Sequence, residues 1–246
     1  MARAIVREFR PEDREAVRRI CFETGLMGDS IAAQYSDLES FADMLTSYYT
    51  DAEPESALVA ELDGKVVGYM LSCRDQKTVW KPGNIAFRHI VTRGTLFRRG
   101  TALFHWRGIL DMVRDVFARH RPRFDLAKYP SHTHNNLLPV GRGGGVGREF
   151  FWRVFDRLKL IGSRGLHGEV WSRNVNMIQF LESLGYQQVG EPYPSPGLRY
   201  PDGGRVYIQL LVRDLGTWVV GSWQKAEQRE SGTRKRVAVV EKSPAA

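Results

Sequence analysis

The segment Pro139-Val140-Gly141-Arg142-Gly143-Gly144-Gly145-Val146-Gly147 is the part of the chain whose residue types most directly suggest chemistry. It separates a strand-like pattern from an amphipathic helical one with an apolar stripe of Phe150, Phe151, Val154, Phe155 and Leu158. Glycines accept positive φ and carry no side chain. Successive N–H groups can therefore converge on an anion at a helix start, where the helix dipole also favours negative charge. A diphosphate suits such a cradle, and a mobile turn is the competing account of a lone glycine cluster. Two nucleotide readings fail: no Lys-Ser/Thr follows the second glycine as in a P-loop, and no acidic residue ends the next strand where a ribose-binding fold needs one. Upstream, His132 and His134 have the side chain whose unperturbed pKa, near ~6.5, suits proton removal at neutral pH. Cys21 and Cys73 form no CxxC pair and have no nearby histidine, so no metal site is expected and both read as buried, reduced thiols.

The elements that must position these residues follow from periodicity. Ile5, Arg7 and Phe9 alternate as a short strand, and Pro11-Glu12-Asp13 opens a helix with its buried stripe at Ala16, Val17, Ile20 and Cys21. A second helix is expected over 38–49. Two strands, 57–62 and 66–71, flank Asp63-Gly64, a signal for a two-residue hairpin. Between 84 and 121 the pattern turns helical, with Leu103, Trp106, Leu110, Val113 and Phe117 on one stripe amid many arginines. That stripe is expected to pack on the protein's own core; contact with a membrane or a partner is the less common use of such a helix. A strand from 124 to 138, a helix over 148–160, a strand over 166–171, a helix over 176–184 and a strand over 187–190 come next. This alternation implies a partly parallel sheet. A loop containing Pro192, Pro194, Pro196 and Pro201 leads to a last strand over 206–212, and the chain beyond about 223 is polar and basic, read as a disordered tail.

The 246 residues fit one α/β domain (1–220, with a helical insertion at 84–121) followed by the tail at 221–246. Apolar residues at 42% and charged residues at 26% exclude collagenous and low-complexity classes. No apolar run is long enough to span a bilayer, and the amino terminus has no signal-peptide core, so the expected location is the cytoplasm. The net charge is +8, of which the tail carries about +3. The remainder suits anionic ligands such as a CoA phosphate as well as it suits nucleic acid. No helix-turn-helix, zinc or RNP-like pattern supports a nucleic-acid partner.

Arg142-x-x-Gly145-x-Gly147, preceded by Pro139, resembles the acetyl-CoA pyrophosphate motif of the GNAT acetyltransferases. The run from Asn174 through Leu181 to Leu184-Gly185-Tyr186 resembles that family's asparagine-led helix, which closes in a leucine, a glycine and an aromatic residue. Residues 55–69 and Tyr129-Pro130-Ser131-His132-Thr133-His134 are similar to bacterial relatives of the acetyltransferase-like domain appended to O-GlcNAcase. The resemblance covers about residues 5–212. It implies a GNAT fold: an α/β mixed, strongly twisted sheet flanked by helices, with the insertion between the third and fourth strands. It also implies acetyl-CoA as co-substrate and direct acetyl transfer to a primary amine of a small molecule or protein. Leu137 and Leu138 would pair with pantetheine, Arg142, Gly143, Gly144, Gly145, Val146, Gly147 and Arg148 would hold the pyrophosphate, and Asn174 would bond the pantetheine arm.

For the base, the resemblance points to His134 or His132. Counted back from Pro139, however, the cofactor-facing parity falls on Leu137, Asn135 and Thr133, so a bulge would be needed to turn either histidine to that side. Structural hydrogen bonding is the competing role. Asp75 and Tyr35 stand where relatives build acceptor pockets, and either could instead serve a turn or the core. Leu181 replaces the tyrosine often credited with protonating the departing thiolate, which leaves open a domain that binds acyl-CoA without turning it over. A homodimer is compatible with everything in the sequence.

Overall fold

The computed structural model of the protein describes residues 3–115 and 122–224; the basic tail beyond 224 and the end of the insertion, with Phe117, lie outside the described residues. The chain enters through β1 (Ile5–Glu8), α1 (Arg14–Glu23) and α2 (Leu38–Asp51), the last capped by Asp37, whose carboxylate accepts from Ser40 N–H. Strands β2 (Ala57–Leu62) and β3 (Lys65–Cys73) form the hairpin that Asp63-Gly64 announces. Both turn residues have positive φ, 50° and 74°, as the hairpin turn requires. Then come α3 (Pro82–Arg93), α4 (Ala102–Asp115), β4 (Ser131–Leu137), α5 (Val146–Leu160), β5 (Gly165–Trp171), α6 (Val175–Ser183), β6 (Gln187–Arg199) and β7 (Arg205–Asp214).

The strands make one mixed sheet in the order β1-β2-β3-β4-β5-β7-β6, in which only β4 and β5 are parallel neighbours. Helices α5 and α6 cover one face, where Phe150, Phe151, Val154, Phe155 and Leu158 pack with Met70, Leu166 and Leu211. Helices α1 and α2 cover the other, where Val17, Ile20 and Tyr49 pack with Val59, Tyr69 and Leu71. Each such side chain contributes roughly 1.5–3 kcal/mol by leaving water. The helical stripes and strand alternation of the sequence thus select the two faces of one sheet.

Several sequence expectations are corrected. The strand expected from 124 begins only at Ser131, because Asp125 folds a turn, its carboxylate accepting from the N–H groups of Ala127 and Lys128. The proline-rich stretch after 190 is not a loop: β6 runs through Pro192, Pro194 and Pro196. It lies at the sheet edge, where a missing N–H costs no ladder bond, and its register to β7 shifts twice. The folded part also continues past 220, since Trp223 stacks on Trp152 at 5.7 Å and donates its Nε1–H to Asp156 at 2.7 Å.

The insertion does lie between β3 and β4, but as two helices separated at Gly94, which takes left-handed φ at the end of α3. The stripe of α4 points the opposite way from expectation. Leu103, Trp106, Leu110 and Val113 are 60%, 47%, 67% and 65% exposed. The face turned inward carries Gly108 and Asp111, and Asp111 binds Arg199 at 2.7 Å and Gly197 N–H at 3.0 Å. Gly197 has φ 82°, and a Cβ there would come within 2.9 Å of the Phe104 carbonyl oxygen, so α4 and β6 meet closely only because that position is glycine.

Candidate active site

The parallel pairing of β4 with β5 comprises Ser131 opposite Leu166 and His132 opposite His167. Both strands run on, β4 to Leu137 and β5 to Trp171, without pairing further with each other, so they diverge into a gap. On its other side β4 stays in unbroken antiparallel register with β3, from His132 opposite Cys73 to Leu137 opposite Gly68. The edge of β4 that faces the gap is therefore open to an extended, amide-bearing ligand, which could bond to it as an added strand would.

At one end of the gap stands the glycine turn. Gly143, Gly144 and Gly145 take φ of 90°, 58° and 83°, and Gly145 is the N-cap of α5. Val146 N–H returns to Gly143 O and Glu149 N–H to Gly145 O. The amides of Gly147 and Arg148 belong to the first turn, where a helix supplies no acceptor of its own. Arg142 is exposed and donates Nε–H to Leu137 O at 3.2 Å, while Arg148 lies over the Trp152 ring at 5.7 Å. Sequence reasoning missed Arg3, which pairs with Glu149 at 2.8 Å and packs where a Gly144 Cβ would stand. Leu138 donates its N–H to Val67 O, and Leu137 packs against the core beneath α5. Asn174 caps α6, its Oδ1 accepting from Met177 N–H at 3.3 Å. Val146 is buried beneath the turn.

On the α2 face the gap opens into a cleft of about 310 Å³. Met44, Leu45, Tyr48 and Tyr49 of α2 form one wall, Gln76, Val79, Trp80 and Ile85 the rim, and His132, His134, His167 and Glu169 the floor. Tyr48 and Trp80 meet edge to face at 5.7 Å. No bulge turns His132 and His134, since β4 keeps its register. Alternation puts them on the α2 face with Cys73 and Leu71, and Thr133, Asn135 and Leu137 on the α5 face with Ser72, Met70 and Gly68. The histidines line a cavity without a bulge because the cleft lies on their face.

His132 Nδ1 is 2.9 Å from the Tyr49 hydroxyl, and the His132 and His167 rings lie 5.2 Å apart. Burial drives the Tyr49 pKa well above its usual range, with Cys73 and Glu169 adding to the rise, so it stays a neutral phenol. His167 Nδ1 is 2.8 Å from Tyr129 O. A carbonyl can only accept, so Nδ1 holds the proton and, in the neutral ring, Nε2 the lone pair. Burial pushes His134 down to about 4, which keeps it neutral at physiological pH. His167 and Glu169 were not singled out from the sequence. Their signal is two polar residues at period two on the strand that follows the glycine-led helix.

Tyr35 does not reach the cleft. It is buried against Phe41 and Phe104, with its hydroxyl 2.8 Å from Ser40 Oγ. Asp75 closes a turn, accepting from Lys77 N–H at 2.9 Å, and the next residue, Gln76, lines the cleft in its place. Leu181 and Tyr186 are core residues under α5, Tyr186 against Phe151 and Phe155. Among the described residues no His/Cys/Asp/Glu cluster suits a metal ion, and no helix is long and apolar enough to cross a membrane. Cys21 and Cys73 are buried free thiols whose pKa burial raises to about 12.

No protein-family model matches the chain. The structure is similar to that of SsHAT, with 26% identity and a TM-score of 0.59 over 87% of this chain and all of that one. It is also similar to a GNAT superfamily phosphinothricin acetyltransferase from Sinorhizobium meliloti solved with acetyl-CoA, with 17% identity and a TM-score of 0.54 over 87% of this chain and 90% of that one. A third likeness is to the polyamine N-acetyltransferase of Drosophila melanogaster, which forms N-acetylagmatine, with 16% identity and a TM-score of 0.53 over 86% of this chain and 99% of that one. The chain has the GNAT fold.

Proposed function

We propose that the chain is an acetyl-CoA-dependent N-acetyltransferase that passes the acetyl group directly to a primary amine. The observation that carries this reading is the gap between β4 and β5, which joins an anion-suited glycine turn at one end to a histidine-floored cleft on the α2 face. Gly147 and Arg148 N–H, with Arg142 and the glycines at 143–145, would bind the diphosphate; Leu137 and Asn174 would hold the pantetheine arm, whereas Leu138, against the expectation from sequence, has both backbone groups engaged, its N–H with Val67 O and its carbonyl with Gly141 N–H. Acetyl-CoA, when bound, would supply the thioester carbonyl that the amine attacks. In the cleft, Glu169 would hold the incoming ammonium and His132, in the tautomer whose Nδ1–H donates to the Tyr49 oxygen, would take its proton at Nε2 directly or through one water. His134, held near 4, is too weak a base to keep that proton and would accept a hydrogen bond from the amine. The amine nitrogen would attack the carbonyl carbon, the C–S bond would break, and the second proton of the nitrogen would pass to the departing thiolate through solvent, with no side-chain donor at Leu181. The products are the acetylated amine and CoA.

Within the superfamily we read the chain as kin to the bacterial relatives of the O-GlcNAcase-appended domain, a reading that rests on residues 55–69 and 129–134 alone. The reduced thiols fit a cytoplasmic setting, and the acceptor is a small molecule or a protein amine. A second reading, an acyl-CoA-binding domain without turnover, is favoured by one observation: Leu181 is a buried core residue where a hydroxyl would be expected. Thiol release from acetyl-CoA across amines, polyamines, amino sugars and peptides separates the two. Turnover should fall roughly 10²–10⁴-fold in His132→Ala below the acceptor pKa and recover as the amine deprotonates in solution. Tight CoA binding with no turnover on any acceptor would establish the second reading, and an unchanged pH–rate profile in His132→Ala would remove His132 as the base.

A further inference from the structure

Half of the exposed large apolar side chains among the described residues sit on the insertion: Phe87 and Val91 on α3, Phe97 between the helices, and the outward face of α4. On α4 the apolar arc runs through Met112, Ile109, Val113, Trp106, Leu110 and Leu103, and Phe97 meets Trp106 at 6.4 Å. At 100° per residue, Arg107 and Arg114 stand in line, about two turns apart, along one border of that arc. The two acidic residues of α4 face the other way, Asp111 held by Arg199 and Arg205 and Asp115 by Arg205. The exposed surface of α4 is thus aliphatic and aromatic, edged by arginine, with no carboxylate. Its anchorage on β6 holds this face outward, independently of the cleft chemistry.

We infer that this face is a docking surface for an anionic lipid bilayer, on which α4 lies in the plane of the headgroups. Charge complementarity selects a negative partner and disfavours a second copy of the chain, which would bring arginine against arginine. Nucleic acid is a poor fit, because Leu103, Leu110 and Val113 offer neither stacking nor base-edge contacts. A protein partner reads its surface through about one hydrogen bond per 100–200 Å². The outward face of α4 carries no Ser, Thr, Asn or Gln, and its hydrogen-bonding groups are Trp106, the bordering Arg107 and Arg114, and the half-buried His105. A bilayer asks only for an apolar arc with a cationic border and a tryptophan at the boundary. The contact is peripheral.

The test is co-sedimentation of the full chain with vesicles of phosphatidylcholine alone or mixed with phosphatidylglycerol. Binding should appear on the mixed vesicles only and weaken with salt. Leu110→Glu should weaken it at least about tenfold. Arg107→Gln and Arg114→Gln should each weaken it about fivefold. All three positions are on the outer face of α4, so unchanged circular dichroism and melting should accompany the loss. Absence of binding to the mixed vesicles overturns the proposal. So does binding that Leu110→Glu leaves intact, which would assign it to the basic residues at 225–246. A lipid-free dimer that Leu110→Glu dissociates would assign the face to self-association and overturn it equally.

Discussion

Replacing Gly147 with valine should separate anion binding from stability, because the two respond with opposite sign. Gly147 is in the first turn of α5 and lies outside the left-handed region; a Cβ there would stand 3.6 Å from Phe180 Cζ, an ordinary contact. Valine is a better helix residue than glycine, so the change should be neutral or stabilising by up to about 0.4 kcal/mol. Gly145 differs, since its φ of 83° makes any side chain strained by roughly 1–2 kcal/mol. Both valines place a branched side chain beside the amides that point out of the helix start, and both should weaken CoA at least about tenfold, or about 1.4 kcal/mol. Calorimetric titration with CoA, run beside thermal melting, gives both quantities on one sample. A Gly147→Val protein that melts at or above the parent and binds CoA with unchanged affinity would refute the assignment of the turn. Loss confined to Gly145→Val would refute it too, because the cause would then be a distorted turn and not an obstructed one.

Tyr35→Phe removes a hydroxyl bonded inside the core and should cost about 1 kcal/mol in denaturant unfolding, with the acceptor KM unchanged; a raised KM would return Tyr35 to the acceptor site. Ending the chain at Val220 removes the Trp223 stack on Trp152 and its bond to Asp156, and should cost about 1–2 kcal/mol by the same measurement. Ending it at Gln224 should change neither stability nor turnover, and a folded chain of that length without activity would give the basic residues beyond it a part in the site.

Much of the fold was legible because its determinants are local. Asp63-Gly64 requires two positive φ values and obtains them, and the stripes of α1 and α5 carry enough apolar surface to select their sheet faces without help from distant residues. The glycine turn was legible for the same reason: positive φ, a helix start and a preceding strand are contiguous in the chain. The edge strand β6 was not, since three prolines read as a loop until the partner strand is known, and only an edge position reconciles them with pairing.

The cleft depends on long-range register, which a strand pattern does not contain. Alternation fixes that His132 and His134 share a face, but which face has the cavity is decided by α2 and by the rim residues Gln76, Val79, Trp80 and Ile85. His167 and Glu169 become part of the same floor only because His132 pairs with His167 before the strands separate. The outward stripe of α4 follows the same logic. Periodicity gives a helix an axis along which its two faces differ, and it does not give the sign of that axis. On α4 the sign is set by Asp111, Asp115 and the approach to Gly197, whose ion pairs and close packing with β6 outweigh the burial of Leu103, Leu110 and Val113. An apolar stripe left in water by specific contacts on the opposite face is a standing cost to the free protein, and contact with an apolar partner removes it.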